Sequence, residues 1–413
     1  CNLDNFSASS LYTITLTMKK ALLLVLAFNT SFSFAQSWVQ KTSAPVGRHH
    51  PVSFAINGKG YAITGTLPSN QPSDDAYEYN PTTDTWTKLS DFPGQARSFG
   101  IGTTHGGKAY FGFGATTTQY LKDFWSYDPS DDSYTQLASC SCSGRRHPAM
   151  ISVGDRIYVG LGDDASGNRK DWWMYSIPNN TWIPISDLPG PGRHHPFMFN
   201  AGGEVFAGMG HAGQIIYKDW YKLDTATGTW SQMNNFPGEA RVAGTQFSMN
   251  GFGFVLSGDG DNHSFMATGE MWRYNPNTDS WLAFPPHPGQ SRWAPGSFVI
   301  NNNVYFYGGR NRLTNTFPTD LWTFDMASAT LGMEQETLDK TYAYPNPAQD
   351  FIFWEKDDSI TDVKIYNTQG QLVLTSAADI QKVNVQELKG GLYVVHFYAS
   401  SEIVKTSKTI IQH

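Results

Sequence analysis

An arginine recurs in this chain at Arg48, Arg97, Arg145, Arg193, Arg241 and Arg292, at steps of 49, 48, 48, 48 and 51 residues. A self-similar period near 50 restricts a chain to a propeller or a solenoid, because each unit must bury its apolar face against another copy. Within each unit the offsets are rigid. An aromatic stands thirteen residues after every Arg: Tyr61, Tyr110, Tyr158, Phe206, Phe254 and Tyr305. Further on comes an acid, with a strand residue four positions later: Asp75/Tyr79, Asp123/Tyr127, Asp171/Tyr175, Asp219/Leu223, Glu270/Tyr274 and Asp320/Phe324. Seven residues beyond lies Trp86, Tyr134, Trp182, Trp230 or Trp281. Only the stretch between the first aromatic and the acid varies in length.

Fixed offsets imply hydrogen-bonded strands joined by tight turns. The first turn reads Asn57-Gly58, Gly106-Gly107, Gly154-Asp155, Gly202-Gly203, Asn250-Gly251 and Asn301-Asn302, residue types that tolerate the positive φ of short hairpins. The third turn carries Asn80-Pro81, Asp128-Pro129 and Asn275-Pro276. The segments between are aromatic and β-branched, as strands prefer. Each unit therefore reads as four antiparallel strands, a to d, with strand a starting at the Arg. Strand b ends in glycine every time: Gly65, Gly114, Gly162, Gly210, Gly258 and Gly308-Gly309, which suits close backbone packing.

These features resemble the kelch repeat over roughly residues 38–330: the glycine-ended second strand, the acid and aromatic on the third, the Trp on the fourth. The resemblance implies an all-β fold, a six-bladed kelch β-propeller. The sixth unit lacks its fourth strand, since Phe324 plus seven is Leu331, while a spare strand, Ser37-Trp38-Val39-Gln40-Lys41, precedes Arg48. The N-terminal strand is thus expected to complete the last blade and hide its edge.

The ends of the chain carry an address. Residues 1–17 contain no Met and read as an upstream, non-native segment. Met18-Lys19-Lys20, the apolar run Ala21–Phe28 and the small residues at Ser33 and Ala35 read as a signal peptide over 18–35. That run is too short to span a bilayer, and no other stretch is apolar enough, so no membrane span is expected in the mature chain. The propeller is expected over 36–330 and a linker over 331–340.

From Thr341 the pattern changes to short alternating strands: Phe351–Trp354, Val363–Tyr366, Gln371–Leu374, Lys382–Val385, Leu392–Tyr398 and Lys408–Ile411. The residues Pro345-Asn346-Pro347, Ile365-Tyr366-Asn367 with Gly370, and Leu388 with Gly391-Leu392-Tyr393 resemble the type A C-terminal sorting domain of the Bacteroidetes type IX secretion system. That implies a small β-sandwich-like domain over 341–413, the type IX secretion machinery as a partner, and passage across the outer membrane to an extracellular or surface-attached location. Charged residues are few at 16%, aromatics many at 14%, and the net charge is −7, so a nucleic-acid partner is not expected.

What all units share serves the fold, and what one or two carry alone is a candidate for function. The six Arg residues read as partners of the strand-c acids, as a guanidinium suits a carboxylate, and as an electropositive mouth on the loop face, two roles that do not exclude each other. His50, His147 and His195 stand two residues after their Arg, where the other units have Phe99, Ala243 and Ala294. Opposed strands at the rim are expected to lie too far apart for these histidines to share a metal ion, so no metal is expected there. They are read as hydrogen-bonded groups lining the channel mouth. Trp293 and Arg310 in the sixth unit suit stacking on a sugar or gripping a peptide, with core packing as the plainer role for Trp293. Asp259-Gly260-Asp261 resembles the start of a calcium loop without its distal Glu, a weak calcium site at Asp259 and Asp261 and otherwise no cofactor. Cys140 and Cys142 read either as a disulfide, which export permits but one intervening residue strains, or as a Cys-x-Cys metal pair whose further ligands the sequence does not place, and the redox state stays open.

No nucleophile elbow, phosphate loop or paired zinc motif occurs. The chain therefore reads first as a surface-displayed module binding a protein or glycan through its loop face. The kelch resemblance adds a second reading, an enzyme on acidic sugars similar to the six-bladed sialic acid epimerase of that family. The family's copper radical oxidase uses a Cys–Tyr crosslink and a Tyr/His copper set that do not map onto this sequence.

Overall fold

A computed structural model of the chain describes residues 38–326 and 343–412, apart from positions 346, 355–359, 368–370, 378–380 and 400–401. The upstream segment 1–17, the signal segment 18–35 and the linker 331–340 lie outside the described residues. The chain divides into two compact units, Cys1–Met326 and Ala327–His413.

The first unit contains six four-stranded antiparallel sheets. Strand a of successive blades runs Val52–Ile56, Ile101–His105, Ala149–Val153, Phe197–Ala201, Thr245–Met249 and Gly296–Ile300. Each strand a touches that of the next blade, and the sixth touches the first. Strand b is buried almost throughout, as in Ile157–Gly160, whereas strand d is mostly exposed, as in Thr85–Lys88. The core therefore lies between the inner strands of adjacent blades. The thirteen-residue offset has a direct cause: it pairs the aromatic with the middle residue of strand a. The register sets Phe54 opposite Tyr61, Phe199 opposite Phe206, Phe247 opposite Phe254 and Phe298 opposite Tyr305. The Phe247 and Phe254 rings stack at 4.7 Å and 6°.

Strand d of the sixth sheet is Val39–Lys41, which pairs antiparallel with Leu321–Asp325. Trp38, just before it, repeats what every strand-d aromatic does. Trp86, Tyr134, Trp182, Trp230 and Trp281 each donate a hydrogen bond to a backbone carbonyl of the preceding blade, at Thr42, Ser90, Ala138, Ser186 and Asn234. Trp38 Nε1 donates to Pro285 O, at the outer strand of blade 5. A second clasp lies beside it. Tyr79, Tyr127 and Tyr274 donate to Asp84, Asp132 and Asp279 in the third turn, and these acids accept backbone N–H groups of Thr42, Ser90 and Asn234 from the blade before.

One expectation is corrected: strand a does not start at the Arg. It starts four residues later, as Arg48 and Val52 show. The intervening backbone cannot extend, because the residue two after each Arg has a left-handed φ, from 49° at Ala294 to 63° at Phe99.

The second unit forms a three-stranded sheet (Ala343–Tyr344, Phe351–Trp354, Lys382–Asn384) and a four-stranded one in the order Leu372–Ala377, Asp362–Tyr366, Gly391–Ala399, Glu402–Ile411. Both sheets feed one core that includes Ile352, Trp354, Val363, Ile365, Val395 and Phe397. The strands at 372 and 402 run longer than the alternation implied.

Candidate functional site

The six arginines lie beneath the mouth, not on it. Arg97, Arg193 and Arg241 are 0% exposed and Arg292, the most exposed, only 6%. Arg48, Arg97, Arg145, Arg193 and Arg292 each grip the acid of their blade with both terminal nitrogens, as Arg48 does Asp75 at 2.7 and 2.8 Å. Arg241 holds Glu270 through Nη2 alone, leaving Nη1 without a partner. In the other five blades Nη1 also donates to the carbonyl sixteen residues on, such as Leu161 O at 3.1 Å from Arg145. Burial opposes ionisation of Asp75, Asp123, Asp171 and Asp320, but the guanidinium outweighs it and holds them below the usual carboxylate range. These residues are clamps between strands b and c, so the expected electropositive ring is not built from them.

The mouth has two layers. The upper layer pairs the residue after each Arg with the residue after the strand-b glycine. These backbone bridges are His49–Thr66, Ser98–Ala115, Arg146–Asp163, His194–His211, Val242–Asp259 and Trp293–Arg310. The glycine makes this approach possible: at Gly162, φ is 90° and an added Cβ would sit 2.6 Å from Arg146 O. The lower layer holds the residue two after each Arg. His50, Phe99, His147, His195, Ala243 and Ala294 line one cavity of about 130 Å³ on the axis. A larger cavity of about 560 Å³ follows toward the opposite end, lined by Ser53, Thr103, Ser152, Asn200, Gln246 and Ser297 among others.

The expected separation of the three histidines is also corrected. One ring nitrogen each from His50, His147 and His195 lies within 4.8 Å of the others. The strand-a heads converge on the axis, and the left-handed φ at these positions brings the side chains together there, whereas the sequence gives no channel width. Burial holds His50 and His195 well toward the neutral form, lowers His147 against the pull of Asp163, and takes His49 to about 3 and His211 to about 4. Neutral imidazoles have one N–H each, so the contacts fix a direction. His211 Nδ1 must donate to Gly213 O at 3.3 Å, and its Nε2 then accepts from His195 Nδ1 at 3.1 Å. His195 Nε2 accepts from His50 Nε2 at 3.0 Å, and His50 Nδ1 accepts from His49 Nδ1 at 2.8 Å. His147 Nδ1 donates to Asp163 Oδ1 at 3.1 Å, and its Nε2 is buried without a partner.

Trp293 and Arg310, the two residues singled out in the sixth unit, are cross-strand neighbours joined by N–H···O bonds of 3.0 and 2.8 Å. The partly buried Trp293 ring meets His50 edge-on at 4.6 Å and His49 at 4.7 Å. Above it sits the guanidinium of Arg312, 5.0 Å from the ring centre. Arg312 also reaches Asp259, which is fully buried and whose carboxyl burial pushes up to about 6 against the pull of Arg312 and Arg310. Asp259 thus faces a guanidinium, while Asp261 is exposed in a one-turn 3-10 segment. Arg310 donates to the neutral amide oxygen of Asn315. Among the described residues no carboxylate lies within salt-bridge reach of it. Cys140 and Cys142 form a buried disulfide between blades 2 and 3.

Sequence reasoning missed His49, Arg146, His194, His211, Arg312, and the pairing roles of Asp163 and Asp259. The position after the strand-b glycine was a usable signal, because it sits opposite the position after each Arg in all six blades.

The kelch motif model matches residues 47–93, and the model described as a secretion system C-terminal sorting domain matches residues 342–412. The chain carries a kelch motif and a C-terminal secretion sorting domain. The tail marks this kelch chain for type IX secretion, and the protein is extracellular or attached to the cell surface. Among the described residues no helix is long and apolar enough to cross a membrane. A solved structure of YjhT aligns with 62% of the kelch chain and 89% of its own, with a TM-score of 0.55 and 16% identity, a likeness of fold. The N-acetylneuraminate epimerase of Pasteurella multocida (strain Pm70) is 40% identical over 82 residues, 18% of this chain and 22% of the relative. That of Haemophilus influenzae (strain PittEE) is 35% identical over 79 residues, 18% and 21%. The alignment spans about a fifth of the length of these curated relatives.

Proposed function

We propose that this secreted kelch chain binds an acidic carbohydrate at the mouth of its loop face. The observation that carries the reading is the Trp293–Arg310 pair: backbone neighbours at the mouth, one an aromatic ring and the other a guanidinium that lies over Phe317 at 5.9 Å and whose side-chain hydrogen-bond partner is a neutral amide. A sugar stacks its C–H face on an indole, and a carboxylate takes a bidentate bond from a guanidinium that no acid already holds. Arg146 of the upper layer and Arg312, two residues beyond Arg310, are each about a third exposed and each already hold an acid of that layer, Asp163 and Asp259. They set a positive rim without competing for the same ligand oxygen. The full-length chain is titrated with N-acetylneuraminate, glucuronate and neutral galactose by calorimetry. The acidic sugars are expected to bind, and Arg310→Ala and Trp293→Ala each to weaken them at least tenfold. Equal binding of galactose, or indifference to both substitutions, removes the reading and points to a protein partner on this face.

A second reading is epimerisation of such a sugar. The local identity to N-acetylneuraminate epimerases favours it. Stereochemical exchange at a sugar needs a group that gives and takes a proton near working pH. Asp259, pushed up to about 6 beneath Arg312, is the mouth group tuned for that. Accelerated interconversion of the sugar's stereoisomers, followed by NMR and lost in Asp259→Asn, supports this reading. Binding without acceleration leaves the first.

A further inference from the structure

We propose that Nε2 of His50, His147 and His195 form a three-histidine site on the propeller axis for one divalent transition-metal ion, zinc in the first instance. One ring nitrogen of each lies within 4.8 Å of the other two, and the Nε2 atoms of His50 and His195 are 3.0 Å apart. Zinc–imidazole bonds of about 2.0–2.1 Å in tetrahedral geometry place ligand nitrogens roughly 3.3 Å apart, so small side-chain movements close the site.

The outward nitrogen of every ring is already held. Asp163 takes His147 Nδ1, His211 takes His195 Nδ1, and His49 contacts His50 Nδ1. Ligand histidines have this arrangement, with a carboxylate or other polar partner on the far nitrogen fixing ring and tautomer. An independent observation points the same way. The His147 side chain is 7% exposed, and its Nε2 is a lone pair with no hydrogen-bond partner. An orphaned buried acceptor costs free energy, and a metal ion satisfies it.

The donor set selects the ion. Three neutral imidazoles suit zinc, copper, nickel and cobalt, whereas calcium and magnesium need oxygen ligands. Three protein ligands leave a fourth position for water, in the cavity of about 130 Å³ that the same histidines line. The protons balance: His50 gives up its Nε2 proton to solvent, receives one at Nδ1 from His49 Nδ1, and His49 takes one from solvent at Nε2. All rings stay neutral.

Among the described residues two other groupings occur, His194 with His195 and His211, and His147 with Asp163 and His194. Each spends a hydrogen bond that the mouth already uses, such as His194 to Asn168 at 2.6 Å. The axial set gives up the His50–His195 hydrogen bond and in return satisfies the orphaned His147 Nε2. The site does not depend on sugar binding.

The test is metal uptake by the full-length chain after chelator treatment. Cobalt is expected to bind at one equivalent with the visible absorption of a four-coordinate ion, and zinc to displace it. His50→Ala and His195→Ala are expected to abolish uptake. The fold accepts alanine at this position, since Ala243 and Ala294 occupy it with φ of 50° and 49°. Far-UV spectra and melting confirm that the variants are folded. His211→Ala is expected to weaken affinity ten- to a hundredfold, and His263→Ala to leave it unchanged. No uptake by the folded chain overturns the proposal. So does uptake that survives His50→Ala, including the case where His194→Ala abolishes it.

Discussion

Trp38 donates its indole N–H to the carbonyl of Pro285, 247 residues away in sequence. The ring also packs against Phe324 at 5.3 Å and Phe306 at 6.2 Å. Trp38→Ala removes both the bond and the packing and is expected to cost about 3 kcal/mol in denaturant unfolding. Trp38→Phe keeps most of the packing and is expected to cost about 1 kcal/mol, the value of one hydrogen bond. Equal costs for both would mean that packing is not what Trp38 contributes.

Arg193 and Asp219 are clamped together beneath blade 4, with Arg193 fully buried and Asp219 about a fifth exposed. Removing the exposed partner is the harsher change, because it strands a buried guanidinium. Asp219→Ala is expected to lower stability by about 3–5 kcal/mol and Arg193→Ala by somewhat less. Both are read by urea unfolding. A selective loss of ligand affinity at unchanged stability would return these residues to the mouth.

Asp259 makes stability depend on pH with a defined sign. Its folded carboxyl is raised to about 6, so the fold prefers the neutral acid. Its contribution is most favourable below about pH 4 and is lost as pH rises through 6. The difference is at most ~3 kcal/mol. Asp259→Asn is expected to flatten the melting temperature between pH 4 and 7 and to raise it above pH 6. A parallel pair of pH profiles would count against the burial of this charge.

The tail has a core of its own, in which Phe397 is fully buried and meets Trp354 at 5.7 Å. Phe397→Ala is expected to destabilise that unit by about 3–4 kcal/mol. Limited proteolysis should then release residues beyond 343 early while the propeller stays intact. Simultaneous digestion of both units would contradict separate cores.

The blades were legible because their spacing is dictated by hydrogen bonds: the thirteen residues from Arg48 to Tyr61 are the path from a bend, up strand a and back to the cross-strand partner of Phe54. The spare Trp38 was legible for the same reason. The site was legible only in part. Trp293 and Arg310 stood out because one blade carries them, and the structure makes them neighbours. The distance between His50 and His195 depends on the channel width, which no offset within one blade encodes. The upper layer was hidden because its positions, such as Asp163 and His211, share a place in the backbone but no chemistry. The arginines misled toward the mouth because a charge at a repeated position says nothing of depth.

The outermost strand of the sixth sheet comes from the opposite end of the propeller sequence, and this gives the fold a built-in test of integrity. A chain cut short at either end keeps most blades yet leaves Leu321–Asp325 or Val39–Lys41 with an unpaired edge. Open edges are where strands recruit foreign strands and where proteases gain hold. A protein displayed outside the cell, beyond the reach of chaperones, thereby presents a sealed surface only when every residue between its two ends has arrived.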